Sequence, residues 1–83
     1  MIIRIKLYAM LAKYLPGHAV KNEADMDVED TCSVEAALLK LNMPLAECHL
    51  VLVNGVYIAP SERPMRILVE GEHLAVWPPV AGG

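Results

Sequence analysis

One segment of the chain has the spacing of an amphipathic helix, and it lies between segments with the spacing of strands. Ser33 suits a helix N-cap, because its hydroxyl can accept a hydrogen bond from a backbone N–H of the first turn. The apolar residues that then recur on one helical face are Val34, Ala37, Leu38 and Leu41. Pro44 cannot continue this helix. We therefore expect one main helix that packs against strands.

Strand patterns occupy both ends of the chain. The apolar residues at every second position near the start are Ile3, Ile5 and Leu7. The segment from His73 to Trp77 alternates in the same way, and this period of two is typical of a strand with one buried face. If Leu74 and Val76 face the helix, the opposite face receives three side chains that form a candidate protein-binding surface: Tyr8, Ala75 and Trp77.

An acidic segment from Glu23 to Asp30 also alternates. Its acids at every second position are Glu23, Asp25, Asp27 and Glu29. A strand would send all four to one face, so the pattern indicates a strand with a solvated outer face. The alternative, a divalent-ion site, lacks a second oxygen-rich segment.

The second half of the chain adds a hairpin. Asn54-Gly55 stands between two β-branched runs, which is the strongest short-range signal for a hairpin. A short strand is expected over 67–69. The predicted order is β, β, α, β, β and a terminal strand, which indicates an α+β fold with a mixed or mostly antiparallel sheet. The helix would cover one sheet face and leave the other open.

Composition narrows the function further. A net charge of −3 without a Lys/Arg cluster argues against a nucleic-acid partner, and no apolar stretch is long enough to cross a membrane. Cys32 and Cys48 form no CxxC pair, and the three histidines show no ligand spacing, so no metal or bound cofactor is expected. The start of the chain does not resemble a secretory signal, which predicts a cytoplasmic protein.

The end of the chain differs in character from the rest. We expect a folded domain over 1–77, followed by the tail Pro78-Pro79-Val80-Ala81-Gly82-Gly83. The two prolines favour an extended backbone. The glycines carry no side chain, so the terminal carboxylate could enter a channel too narrow for other residues.

These features together resemble the MoaD/ThiS family of ubiquitin-like sulfur carriers, which have the β-grasp fold. The likeness spans the chain and is strongest to small subunits of molybdopterin synthase. The motifs that carry it are Leu7-Tyr8-Ala9-x-Leu11, Ser33-Val34-x-x-Ala37-Leu38, Val53-Asn54-Gly55, Gly71-Glu72-x-Leu74-Ala75-Val76 and the Pro78 to Gly83 tail.

The resemblance implies a chemistry that belongs to the tail. An E1-like enzyme of the MoeB/ThiF type would use ATP to adenylate Gly83, and a sulfur donor protein would then convert it to a thiocarboxylate. The tail residues before it, Pro78, Pro79, Val80, Ala81 and Gly82, would thread into the active site of a MoaE-type large subunit. Tyr8 and Trp77 match the family's docking positions. The chain itself would not be an enzyme.

Three other functions remain open at this point. A carrier for thiamine thiazole synthesis would use the same fold and the same thiocarboxylate. A protein modifier would join Gly83 to lysines of target proteins by isopeptide bonds. A plain interaction module would have an incidental Gly-Gly end, and its aromatic rings could merely lie across loop residues.

Overall fold

The computed structural model describes residues 1–79 of the 83-residue chain. Within these residues the strands are β1 (Ile2–Leu7), β2 (Glu23–Asp27), β3 (Leu50–Val53), β4 (Val56–Tyr57) and β5 (His73–Trp77). The α-helix is α1 (Val34–Lys40), and two 3-10 helices span Ala9–Tyr14 and Leu45–Glu47. The predicted order of helix and strands is confirmed.

The strands form one mixed sheet in the order β2-β1-β5-β3-β4. β1 and β5 pair in parallel, with Arg4 beside His73 and Leu7 beside Val76. The other pairings, β1 with β2, β3 with β5 and β3 with β4, are antiparallel. The first and last of these strands therefore lie side by side within the sheet. The α+β class, with one mixed sheet and one main helix, is confirmed.

Helix α1 begins where the sequence predicts. The Ser33 hydroxyl accepts a hydrogen bond from the Ala36 N–H at 3.0 Å, which caps the first turn. Val34, Ala37 and Leu38 on its inner face are fully buried. The sheet residues in the same core include Ile3, Ile5, Leu7, Val51, Leu74 and Val76. This core holds the helix on one face of the sheet.

Turn residues adopt the conformations that their types permit. Asn54 and Gly55 have φ of 50° and 82°, the left-handed values that a two-residue hairpin needs at both central positions. Gly71, just before β5, has φ of 82°. A larger residue at either glycine would be strained, because side chains clash with the backbone at such angles.

The prediction of a strand over 67–69 is wrong. Ile67 forms only an isolated bridge with Ser33, framed by bonds from Val34 N–H to the Arg66 carbonyl and from Leu68 N–H to the Cys32 carbonyl, each 2.9 Å. The pairing extends no further, because the Cys32 N–H donates to the Glu29 carbonyl and the Arg66 N–H donates to the Glu62 carbonyl, each at 2.9 Å.

Two strands are shorter than their patterns suggest. β2 ends at Asp27, so Glu29 lies in the following turn and does not join the other acids on the strand. β4 ends at Tyr57, and Ile58 adds only one further backbone bond, from its N–H to the Val51 carbonyl of β3 at 2.9 Å. None of the helices in the described part of the chain combines the length and the apolar character needed to cross a bilayer.

Candidate functional site

The sheet face opposite α1 carries a groove between β1, β5 and the β3–β4 hairpin. Register places Lys6 beside Ala75, and Ala75 beside Leu52, so these side chains share one face. The groove has a volume of about 390 Å³ and is lined by Lys6, Tyr8, Leu52, Asn54, Gly55, His73, Ala75 and Trp77. We call this surface the open-face groove. All three residues that the sequence predicts for partner binding line this groove.

The Tyr8 and Trp77 rings form one wall of the groove. Their centroids lie 4.1 Å apart and their planes differ by 3°, which is a parallel stack. Each ring is half-buried, because each covers part of the other. The open face thus presents the two rings as a stack, whereas the alternation predicts only that both lie on this face.

The stack lies where β5 ends. The Tyr8 N–H donates to the Val76 carbonyl at 3.1 Å, and the His49 N–H donates to the Trp77 carbonyl at 3.0 Å. Pro78 is buried, whereas Pro79 is exposed. The last strand is therefore fixed from both sides up to the point where the tail begins. The predicted tail residues Val80, Ala81, Gly82 and Gly83 lie outside the described residues.

A polar network closes the other end of the groove. Glu72 accepts hydrogen bonds from the Arg66 guanidinium and from the Val69 N–H, each at 2.7 Å. The bond from Arg66 is the main reason that the pKa of the Glu72 carboxyl is lowered. Asn54 accepts from the His73 N–H at 2.8 Å. These contacts tie the hairpin to the turn before β5.

Charged residues border the groove on the side of β2. Arg4 donates from Nε to Glu23 at 3.2 Å and from Nη1 to Asp25 at 2.9 Å. The β1–β2 register places these acids on the same face as Arg4 and Lys6. From Glu23 to Asp27 the acidic segment is therefore a strand with a charged outer face, as its alternation predicts.

Both cysteine thiols are withdrawn from solvent. Cys32 and Cys48 are both buried, and burial raises the pKa of each thiol. Across residues 1–79, no group of three or more His, Cys, Asp or Glu side chains is placed to hold a metal ion.

One buried charged residue has no signal in the sequence. Arg63 is 6% exposed and donates to the carbonyls of Cys48, His49 and Ile58 at 2.9 to 3.2 Å. These bonds fasten the loop after β4 to the start of β3. Arg63 therefore stabilises this loop, and it does not line the open-face groove.

Comparison with known proteins places this geometry in a family. The model of the Mut7-C ubiquitin family matches residues 1–82. No curated protein is similar enough in sequence to count as a match. A crystal structure of small archaeal modifier protein 1 from Haloferax volcanii is 28% identical, with a TM-score of 0.66 and full coverage of both chains.

Two further structures agree. A second crystal structure of the same modifier is 27% identical with a TM-score of 0.67, and the match covers 95% of this chain and 98% of that one. A chain in the complex of subunits 1 and 2 of molybdopterin-converting factor from Helicobacter pylori is 20% identical, with a TM-score of 0.58 and full coverage of both chains. That last likeness shows the fold alone. The ubiquitin-like β-grasp fold is confirmed, and the protein belongs to the Mut7-C ubiquitin family.

Proposed function

We propose that this protein is a sulfur carrier whose reactive group is the C-terminal carboxylate of Gly83. The observation that carries the proposal is the position of the stacked Tyr8 and Trp77 rings at the end of β5. A partner docked on this stack sits beside the point where the tail leaves the sheet. The six residues from Pro78 to Gly83, if extended, reach about 20 Å, enough to enter a partner's active site.

The chemistry requires activation by another protein. A carboxylate resists attack because its charge is delocalised and its oxygen is a poor leaving group. An E1-like adenylating enzyme of the MoeB/ThiF type uses ATP to join AMP to the Gly83 carboxylate and releases pyrophosphate. A sulfur donor protein then delivers sulfide, whose sulfur attacks the acyl carbon of the adenylate and breaks its bond to AMP. The products are the thiocarboxylate and free AMP. The chain contributes the docking surface and the tail, and its partners contribute the catalysis.

Within this function we propose the molybdopterin branch. The sulfur acceptor is then a pterin precursor held by a MoaE-type large subunit. The tail threads the Gly83 thiocarboxylate into the active site of that subunit. Support comes from the Pro78-Pro79 pair and the Gly82-Gly83 end, and from a fold shared with a chain of the molybdopterin-converting factor complex. The thiamine branch is the alternative within the same chemistry.

The test is intact-mass analysis. Purified protein is incubated with the E1-like enzyme of the same genome, ATP and a sulfur donor. We expect the mass to rise by the difference between one sulfur and one oxygen atom, and we expect tandem mass spectrometry to place the change on Gly83. The product should then convert the pterin precursor when mixed with the large subunit. Sulfur exchange without pterin conversion would support a carrier but reject the molybdopterin branch.

A protein modifier is the second candidate. It is favoured by identities of 28% and 27%, over nearly the whole chain, to a protein that is named a modifier. A modifier would use the same adenylated Gly83 but transfer it to lysine amines. Immunoblots of cell extract distinguish the two functions. A ladder of higher-mass conjugates, lost when Gly83 is deleted, would favour the modifier, whereas a single small species would favour the carrier.

A further inference from the structure

Two basic side chains on the open face of β1 have different surroundings. Arg4 pairs with Glu23 and Asp25. Lys6 lies two residues further along the strand and takes part in none of the ion pairs or side-chain hydrogen bonds found among residues 1–79. Its cross-strand neighbour is Glu23, which is already engaged by Arg4. Lys6 is thus a cation whose cross-strand acid already pairs with Arg4.

The unpaired charge of Lys6 matters for partner binding because of where Lys6 lies. Lys6 is half-buried and lines the open-face groove beside Ala75 and the Tyr8 and Trp77 stack. A protein that covers the apolar stack also removes water from the Lys6 ammonium. Burial of a charge is costly unless a partner group is supplied. A partner that fits this groove therefore needs an acceptor opposite Lys6.

We infer that Lys6 is a specificity-determining residue, which selects partner proteins that present a carboxylate beside an apolar contact for the Tyr8 and Trp77 rings. The inference rests on the proposed function, because it assumes that the open-face groove is the docking surface. It adds a charge requirement to that surface. Proteins with an apolar or basic residue opposite Lys6 bind less tightly, because they leave its ammonium unpaired or repelled.

A rearrangement within the chain is the competing explanation. The Lys6 side chain is flexible and could turn toward Glu23 when the groove is covered, since Arg4 would retain Asp25. In that case Glu23, and not the partner, would neutralise Lys6. Glu23→Gln distinguishes the two explanations, because it removes the internal acceptor and leaves the partner unchanged.

The experiment measures the affinity of the full chain for the E1-like adenylating enzyme of the same genome by titration calorimetry. Lys6→Met keeps most of the apolar stem and removes the charge, and Lys6→Glu reverses the charge. Lys13→Met is the matched control, because Lys13 is exposed and does not line the groove. Thermal melts verify that each variant is folded.

We expect Lys6→Glu to weaken binding by at least about tenfold, because two like charges then face each other across the interface. Lys6→Met should weaken it less, and the affinity of Lys13→Met should stay within about twofold, as is usual for an exposed charge. The salt dependence of binding should also fall in Lys6→Met.

Two results would overturn the inference while the carrier function stands. In one, wild-type protein is thiocarboxylated but Lys6→Met and Lys6→Glu bind like Lys13→Met. In the other, Glu23→Gln weakens binding as much as Lys6→Met does. Wild-type protein that neither binds the enzyme nor accepts sulfur would overturn both the inference and the proposed function.

Discussion

The two faces of the sheet use alternate residues of the same strands and differ in what they hold. On the helix side, Ile5, Leu7, Leu74 and Val76 are fully buried. The open side places polar and aromatic residues between them, including Lys6 and Trp77, which stay half-buried. Because side chains alternate, substitutions on the open face leave the core untouched. The fold therefore depends on one face, and the other is available for partners.

The largest effect on stability is expected on the covered face. Leu38→Ala removes a fully buried side chain of α1 and leaves a cavity, so the free energy of unfolding should fall by about 2–5 kcal/mol. Leu39→Ala is the matched control, because Leu39 is 51% exposed on the same helix and should change stability by less than about 0.5 kcal/mol. Denaturant unfolding measures both. Equal losses in the two variants would show that the helix does not pack as described.

On the open face the largest effect is expected on binding. Trp77→Glu replaces half of the aromatic stack by a charge, and the desolvated centre of an interface tolerates charge poorly. We expect affinity for the E1-like enzyme and for the large subunit to fall more than stability does. Surface plasmon resonance with parallel thermal melts gives both quantities.

Val56→Glu is the control for this comparison. Val56 is 64% exposed and pairs with the buried Val53 across the hairpin, so it belongs to the other side of the same sheet. It introduces the same charge without touching the groove. If Trp77→Glu binds both partners as tightly as Val56→Glu does, the aromatic stack is not part of the docking surface.

A smaller effect is expected from the polar network at the end of the groove. The pKa of Glu72 is lowered mainly by its hydrogen bond from Arg66, so its ionised form stabilises the fold. This contribution is fully present above the ordinary carboxyl pKa and is lost as the pH falls through the lowered value. The free energy of unfolding, measured with urea from neutral to acid pH, should therefore fall less steeply in Glu72→Gln than in the wild type. Identical declines would mean that Glu72 does not contribute.

Local sequence patterns were sufficient to predict much of the fold. Alternation predicted β1 and β5, the spacing after Ser33 predicted α1, and Asn54-Gly55 predicted the hairpin, because each signal depends on residues close in sequence. Alternation also predicted that Tyr8, Ala75 and Trp77 share the face away from the helix. The docking role of these residues stays a prediction.

Other features depend on contacts between distant residues. The parallel pairing of Arg4 with His73 joins segments from opposite ends of the chain, and no local period encodes it. Burial of Arg63 depends on carbonyls that the fold brings around it. The apolar residues around Leu68 suggested a strand. The N–H groups that would extend the pairing, those of Cys32 and Arg66, donate instead to the carbonyls of Glu29 and Glu62.

The measurement that tests the central claim most directly is the rate of thiocarboxylation of a chain extended by one alanine after Gly83. The extension turns the proposed reactive carboxylate into an amide and moves the new carboxylate out of alignment, while a tail residue contributes little to the core. We predict an unchanged melting temperature and no incorporation of sulfur by the E1-like enzyme. An extended chain that accepts sulfur at the wild-type rate, without first being trimmed, would contradict the carrier mechanism.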